Sequence, residues 1–430
     1  MATNNEFRDS GYAYVILFSC VMLRMMEAYM PLTFGMYLLE FLEYFHTTNT
    51  FSVAMLGGLY SFSQAVTGPG AGYVVKRFGA RITVIGCSLV SATSLVIAGS
   101  FPSLHVLTVT FIATGLCSQG MLIAGQVVVQ QYFDKKRSLA AGINMSGACW
   151  GNLFFPPLAR YLIDSYTWRG SYYVYAAIVG NGIVFASLLR PATTDQITAK
   201  EQAKVMIKEK TDNNNKCQLK YLNWFLYSFG IFLLGSGHIA AAVYFPVKAQ
   251  ADGIDIQKVP FLISVIGIIG IFIRPLSGYL GDFKYVDRIL LSAVSVSLCG
   301  LSLIITTQVS GFPALMALAV IFGIMQAFYA GPTGAQVVDV FTLENVEMGA
   351  GLFSLCFGMG MCVLNPVAGL LIDLTGTTDS VFYVFGTAHV CSGIILAVVS
   401  RITKHLNKNV KEVPVNKRLA LAISLESINI

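Results

Sequence analysis

The stretch GIIGIFIRPLSGYLGDFK, residues 267–284, contains the features on which the fold prediction depends. Its last part, GYLGDFK at 278–284, resembles an earlier stretch of the same chain, GYVVKRFGAR at 72–81. In both copies a glycine at the end of an apolar run is followed by charged residues. Glycine allows neighbouring helices to approach closely, and a charge at a helix end can cap another helix. The repeat therefore indicates an internal duplication of a helical unit.

The composition is that of a protein that crosses a lipid bilayer several times. Hydrophobic residues make up 55% of the chain and charged residues 12%, with a mean hydropathy of +0.67. Soluble domains contain about 25% charged residues. The net charge of +6 comes from basic residues in short loops, so nucleic acid is not an expected partner. Eight of the nine cysteines lie in apolar runs without metal-ligand spacing, so no disulfide, metal or cofactor is expected.

Twelve spans are predicted, because a spanning helix needs about 20 mostly apolar residues. They are expected at 12–38, 52–75, 82–101, 104–131, 138–163, 170–190, 221–247, 258–281, 287–307, 312–334, 348–373 and 380–402. The polar, lysine-rich segment 191–220 divides them into two sets of six. The predicted organisation is an N-terminal six-helix bundle over 1–190, a linker over 191–220, a C-terminal six-helix bundle over 221–402 and a tail over 403–430.

The distribution of lysine and arginine predicts the orientation. Basic residues cluster between spans 2 and 3, between spans 4 and 5, and in the linker. Loops rich in lysine and arginine face the cytoplasm. Both termini are therefore predicted to be cytoplasmic. The N-terminal segment lacks the basic start of a signal peptide and its apolar run is too long for one, so this run is interpreted as span 1.

The paired stretches in a frame of six plus six spans resemble the loop signature of the major facilitator superfamily. The usual acidic residue of that signature is Lys76 in the first copy and Asp282 in the second. The resemblance implies an all-α membrane protein with the major facilitator fold, twelve transmembrane helices in two six-helix bundles. It also implies transport by alternating access.

A second resemblance narrows the family. The stretch QQYFDKKRSLAAGINMSGACWG, residues 130–151, resembles the fifth-span signature of the monocarboxylate transporters. DSGYAY at 9–14, TWRGSYYVY at 167–175 and PVAGLLIDLTG at 366–376 are similar to other motifs of that family. The resemblance implies a small carboxylate substrate, sometimes moved with a proton, at the plasma membrane. Relatives often need a single-span accessory glycoprotein, which is a possible partner here.

Arg274 is the first candidate for binding the substrate. The family has an arginine before a proline in span 8 that is thought to bind the substrate carboxylate, and Arg274–Pro275 matches it. Arg274 lies eight residues before Asp282, which places it about 12 Å from the helix end, near the middle of the bilayer. A guanidinium group forms paired hydrogen bonds with a carboxylate. The alternative is that Arg274 pairs with a nearby acid and holds two helices together.

Three departures from the family make proton symport of lactate doubtful. Gly270 replaces an aspartate one turn before the arginine, and Leu32 replaces a lysine in span 1. Gly334 stands where the family often has phenylalanine, so a wider pocket is expected. These departures favour facilitated diffusion or an unusual proton coupling.

Arg24 and Glu27 in span 1 are spaced i, i+3 and share one helix face. Two interpretations stay open for this pair. In one, the two side chains neutralise each other and only orient the helix. In the other, Glu27 pairs across the cavity with Arg274 when no substrate is bound, and its protonation couples transport to pH.

Several other residues are candidate contacts of the substrate. His238 in span 7 is either a proton-accepting ligand or a packed histidine. Tyr29, Asn144, Trp150 and Asn152 are candidates for the N-terminal wall of the cavity. The two asparagines are either substrate contacts or hydrogen bonds between helices.

The sequence predicts a transporter and no enzyme. It contains no Walker motif or phosphate-binding glycine loop, and no pairing of nucleophile and base. The predicted function is secondary transport of a small organic anion. The alternatives are a carrier of an amino acid, a creatine-like zwitterion or an aromatic acid, and a membrane nutrient sensor that binds ligand without transporting it.

Overall fold

A computed structural model describes residues 9, 11–46, 50–190, 214–238, 245, 248–249, 252–254, 258–375, 377 and 379–411. Regular secondary structure in these residues is helical throughout. The prediction of an all-α protein is confirmed.

The described part of the N-terminal half contains seven helices. They are α1 Gly11–Glu27, α2 Tyr29–Tyr44, α3 Thr50–Phe78, α4 Ala80–Ser100, α5 Leu104–Tyr132, α6 Arg137–Gly180 and α7 Gly182–Leu188. The described part of the C-terminal half contains seven more. They are α8 Asn214–His238, α9 Val259–Gly281, α10 Arg288–Thr306, α11 Phe312–Ala330, α12 Thr333–Phe341, α13 Val346–Thr375 and α14 Asp379–Lys411.

These helices account for the twelve predicted spans. Nine helical stretches in the described residues are long and apolar enough to cross a membrane. One of them, Arg137–Leu188, contains two spans joined at Thr167, where the backbone turns sharply with φ 64° and ψ 170°. Helices α3 and α8, of 29 and 25 residues, are also long enough to cross. Helices α1 and α2 form one span with a turn at Ala28.

Two predicted boundaries differ from the helix ends. Helix α8 begins at Asn214, inside the predicted linker 191–220, of which residues 191–213 lie outside the described residues. Helix α14 has 33 residues and continues to Lys411, inside the predicted tail 403–430. Such a helix is about 50 Å long and exceeds the thickness of the hydrocarbon core.

The two halves meet mainly along two helix pairs, α6 with α9 and α3 with α13. Glycines allow the backbones to touch at both crossings. A Cβ atom on Gly142 of α6 would contact the carbonyl of Arg274 and lie 3.2 Å from Pro275 Cα. A Cβ atom on Gly351 of α13 would lie 2.7 Å from the carbonyl oxygen of Gly68.

One end of the molecule, here called the basic end, is closed by side chains from both halves. At this end α1, α4, α6, α10 and α13 begin and α3, α5 and α9 finish. The Asp282 carboxylate accepts hydrogen bonds from the backbone N–H groups of Ser138 and Leu139, each at 2.9 Å. Asp282 therefore caps the N-terminus of α6 from the other half. Arg288 bridges Asp282 at 3.3 Å and Asp339 at 3.1 Å. The charge in the second repeat thus caps a neighbouring helix, as the sequence suggested.

Candidate functional site

A cavity of about 950 Å³ lies between the two halves. Its lining starts some distance from the basic end. Gln126 lies six residues before the end of α5, Arg274 seven before the end of α9, and Phe353 seven after the start of α13. At a rise of 1.5 Å per residue, the floor is about 10 Å inside the basic end. From there the cavity extends toward the opposite end, where Gly57 and Phe111 line it.

Arg274 lies at the floor of the cavity. Its Nη1 donates a hydrogen bond of 2.8 Å to the carbonyl oxygen of Met145 in the other half. Its Nε is buried and has no hydrogen-bond partner among the described residues. No described carboxylate lies within 4.0 Å of its guanidinium nitrogens. The positive charge of Arg274 is therefore not neutralised by a protein side chain in the part of the chain that the structure describes.

The Arg24–Glu27 pair lines the same cavity. Arg24 Nη1 donates to Glu27 Oε2 at 3.1 Å, and Gln64 Nε2 donates to Glu27 Oε1 at 2.7 Å. Both carboxylate oxygens of Glu27 therefore have partners in the N-terminal half. The hypothetical Glu27–Arg274 pair across the cavity is not formed in this conformation, and the geometry matches the interpretation in which Arg24 neutralises Glu27.

A hydrogen-bonded chain extends from this pair into the N-terminal half. Gln64 Nε2 also donates to Ser118 Oγ at 3.1 Å, and the Tyr60 hydroxyl donates to the same oxygen at 2.9 Å. The chain connects α1, α3 and α5. It fixes the position of Glu27 from the side away from Arg24.

Counted over the residues that the structure describes, the cavity carries one net positive charge. Its charged lining residues are Arg24, Glu27 and Arg274, and the first two neutralise each other. Four lining residues have a buried side-chain nitrogen without a partner in the described structure. These atoms are Arg24 Nε, Arg274 Nε, Gln119 Nε2 and Gln126 Nε2. All four are hydrogen-bond donors, so the wall is suited to a ligand rich in acceptor oxygens.

The other candidates for the N-terminal wall are divided by the structure. Asn152 lines the cavity. Asn144 is 3% exposed and lies outside the lining, although it is on the same helix. Tyr29 is 2% exposed and belongs to an aromatic cluster with Tyr37, outside the main cavity. Trp150 faces outward and stacks on a phenylalanine of its own helix.

Three further residues were named from the sequence: His238, Gly334 and Gly270. His238 is the last residue of α8, and its side chain lies outside the described residues. Gly334 does not line the cavity, because a Cβ atom there would lie 2.5 Å from Gln130 Nε2 below the floor. The expected widening of the pocket at this position is therefore not seen. A Cβ atom on Gly270 would lie 2.6 Å from Cys149 Sγ and 3.6 Å from Arg274 Nε.

The sequence reasoning missed the glutamines of the site. Gln64, Gln119 and Gln126 all line the cavity. Gln119 and Gln126 are seven residues apart in an apolar span, a spacing that places them on one helix face. That spacing was a signal that could have found them.

Comparisons with known proteins identify the family. The chain matches the Major Facilitator Superfamily over residues 17–311 and 286–425. It is 25% identical over 422 residues to monocarboxylate transporter 6 of Mus musculus, covering 93% of this chain and 89% of the relative. It is also 25% identical over 420 residues to monocarboxylate transporter 2 of Homo sapiens, covering 93% and 87%.

The fold agrees with a solved transporter. The proton:xylose symporter XylE bound to 6-bromo-6-deoxy-D-glucose matches with a TM-score of 0.71 at 12% identity, covering 90% of this chain and 95% of that chain. This likeness concerns the fold alone, and it confirms the predicted major facilitator fold. The chain therefore belongs to the Major Facilitator Superfamily, in which it is a divergent relative of the monocarboxylate transporters.

Proposed function

We propose that this protein transports an organic monocarboxylate across the membrane by alternating access. The observation that carries the proposal is the charge of Arg274 on the cavity floor, which no described carboxylate neutralises. A bound monoanion would bring the net charge of the cavity to zero. Its oxygens would also supply acceptors for the buried donors of the floor, Arg274 Nε and Gln126 Nε2. Arg274 is half-buried, and a charge there without a counter-charge is costly, so occupancy by an anion is favoured.

The closed basic end supports alternating access. In this conformation α6 and α9 touch below Arg274, and Asp282 caps α6. The cavity lies on the opposite side of that closure. Transport requires the halves to separate at the basic end and to approach each other at the opposite end. The basic loops support a cytoplasmic orientation of the closed end, and the proposal includes both termini on that side of the plasma membrane.

The geometry favours facilitated diffusion over proton coupling. The position one turn before Arg274 is Gly270, which has no titratable side chain. Both oxygens of Glu27 accept hydrogen bonds within the N-terminal half, from Arg24 and Gln64, so neither is directed at Arg274. Coupling through Glu27 would require that pair to open.

Uptake into proteoliposomes tests this function. Labelled lactate, pyruvate, an aromatic amino acid, creatine and a dicarboxylate would be offered to the wild type, Arg274→Gln and Arg160→Gln. Arg160 is a matched control, because it is exposed and pairs with Asp164 away from the cavity. We expect saturable uptake of a monocarboxylate that is lost in Arg274→Gln and kept in Arg160→Gln. Binding without flux in the wild type would instead indicate a sensor.

An imposed proton gradient tests the coupling in the same vesicles. Facilitated diffusion predicts equal initial rates with and without an inward gradient. Stimulation by the gradient that disappears in Glu27→Gln would show coupling through Glu27.

Comparing surface delivery with and without a co-expressed single-span glycoprotein would test the accessory partner.

A further inference from the structure

A cysteine thiol lies beside the guanidinium group of Arg274. A Cβ atom on Gly270 would be 2.6 Å from Cys149 Sγ and 3.6 Å from Arg274 Nε. Because both atoms lie close to this one point, the thiol and the guanidinium group are neighbours. The thiol fills the space that a side chain at position 270 would take.

A hydrogen bond gives the same placement. Arg274 Nη1 donates to the carbonyl oxygen of Met145, and Cys149 follows Met145 by four residues in α6. Residues four apart lie on the same face of a helix, one turn from each other. Arg274 therefore lies along the face of α6 that carries Cys149.

The thiol belongs to the wall of the cavity. Cys149 lines the cavity together with Arg274, although it is only 7% exposed. Gln126 is 3% exposed and lines the same cavity, and its Nε2 has no hydrogen-bond partner among the described residues. This unsatisfied donor points separately to a ligand with acceptor oxygens.

A carboxylate held by Arg274 would bring its neighbouring carbon atom close to Cys149 Sγ. The thiolate of cysteine is a nucleophile, and a nucleophile held next to its target reacts as if at a high concentration. With iodoacetate, a bond forms between Sγ and the methylene carbon while the carbon–iodine bond breaks. Iodide leaves with the electron pair of that bond, and the thiol proton is released to water.

We propose that Cys149 is a covalent modification site for electrophilic monocarboxylates, which Arg274 selects by their negative charge. This inference rests on the proposed function, because Arg274 holds the carboxylate. The alkylated side chain keeps a carboxylate beside Arg274, so it occupies the anion site and blocks it.

Alkylation of the purified full-length protein by two reagents tests the proposal. Iodoacetate is an anion and iodoacetamide is its neutral analogue, and mass spectrometry would follow each cysteine separately. Cys362 is the internal reference, because it also lines the cavity but belongs to α13. It lies one turn after Gly358, where a Cβ atom would contact Ala65 of α3 at the other crossing of the two halves.

We expect a preference for the anionic reagent at Cys149. The ratio of the iodoacetate rate to the iodoacetamide rate should be about tenfold higher there than at Cys362, which is the effect of one charge-assisted hydrogen bond. Arg274→Gln should lower the ratio at Cys149 to that at Cys362. Arg160→Gln is the matched control and should keep it, since Arg160 is exposed and pairs with Asp164 away from the cavity. Thermal unfolding of each variant checks that it is folded.

Three results would overturn the proposal: no reaction of Cys149 with either reagent, equal ratios at the two cysteines, or a preference that survives in Arg274→Gln. None of them depends on flux. Uptake of a monocarboxylate that is lost in Arg274→Gln would then still support the proposed function. Conversely, a preference at Cys149 in a protein that transports no acid would uphold the modification site and refute transport.

Discussion

Replacing Glu27 by glutamine should tighten the binding of a monocarboxylate. In the wild type Glu27 neutralises Arg24, so the cavity carries one net positive charge, from Arg274. Glu27→Gln leaves Arg24 without its counter-charge and raises the net charge of the cavity to two. Gln64 keeps an acceptor in the substituted amide. The substitution therefore changes the charge more than the hydrogen bonding.

The size of the effect follows from the distance between Arg24 and a carboxylate on Arg274. Arg24 packs on Gly147 of α6, and Arg274 donates to Met145 in the same turn of that helix from another side, so the two charges would be separated by one helix diameter, about 10 Å. At an effective dielectric constant of about 20, two unit charges at that separation interact by about 1.7 kcal/mol. This corresponds to about an 18-fold increase in affinity. Water in an open cavity screens the charges further, so the value is an upper limit.

The measurement is equilibrium binding of a labelled monocarboxylate to the purified protein at neutral pH. Three proteins are needed: the wild type, Glu27→Gln and the double variant Arg24→Gln/Glu27→Gln. The double variant restores the single net charge, so its affinity should return to that of the wild type. Weaker binding by Glu27→Gln would contradict the reasoning, and so would a double variant that stays tight. Either result would mean that Arg24 or Glu27 contacts the substrate directly.

Three further predictions concern the basic end. Gly142→Ala should lower stability in detergent by about 1–3 kcal/mol, because its Cβ meets the backbone of α9, whereas Gly86→Ala, with open space around it, should not. Asp282→Asn should weaken the cap of α6 by about 1 kcal/mol and increase the spin-label distance between the basic ends of the two halves. Partial burial opposes the ionisation of Asp287, but a serine hydroxyl, a backbone N–H and the Lys404 ammonium outweigh it and lower the pKa of Asp287 below 3.8. The stabilisation of the fold by ionised Asp287 is complete above pH 3.8 and is lost as the pH falls through the lowered pKa. Asp287→Asn should therefore unfold at a lower temperature than the wild type at neutral pH, and at a similar temperature in stronger acid.

The sequence predicted the spans and the charged residues of the cavity, because a single energetic cost determines the position of each. Long apolar runs predicted the spans, because only helices satisfy the backbone in lipid. Three charges in those runs, Arg24, Glu27 and Arg274, could be placed in the cavity because burial against lipid is too costly.

Helix rotation explains the candidates that lie elsewhere. Tyr29 is two residues after Glu27, which turns it to nearly the opposite side of the helix, and a turn at Ala28 intervenes. Asn144 and Asn152 differ by about 80° in direction, and only Asn152 reaches the cavity. Such an angle decides whether a side chain lines the cavity or packs against another helix. It depends on how neighbouring helices pack, which the sequence does not show.

The hydropathy of the sequence also did not predict the local breaks in the helices. The sequence predicts a gap between two spans near Thr167, but the chain reverses there at one residue with positive φ. Gly334 was assigned to the pocket by alignment on Asp339, whereas it allows α12 to approach Gln130 of α5. Both features depend on tertiary contacts that apolar periodicity does not report.

The hydrogen bond from Arg274 to the Met145 carbonyl joins the proposed substrate site to the contact between the halves. Arg274 belongs to one half and Met145 to the other, so the site is complete only while the halves meet below it. Thermodynamic linkage is reciprocal. By whatever factor the closed contact strengthens substrate binding, the substrate strengthens the closed contact. Under the proposed function, the substrate is then an allosteric effector of its own carrier, and its apparent affinity reports the fraction of molecules that are closed at the basic end.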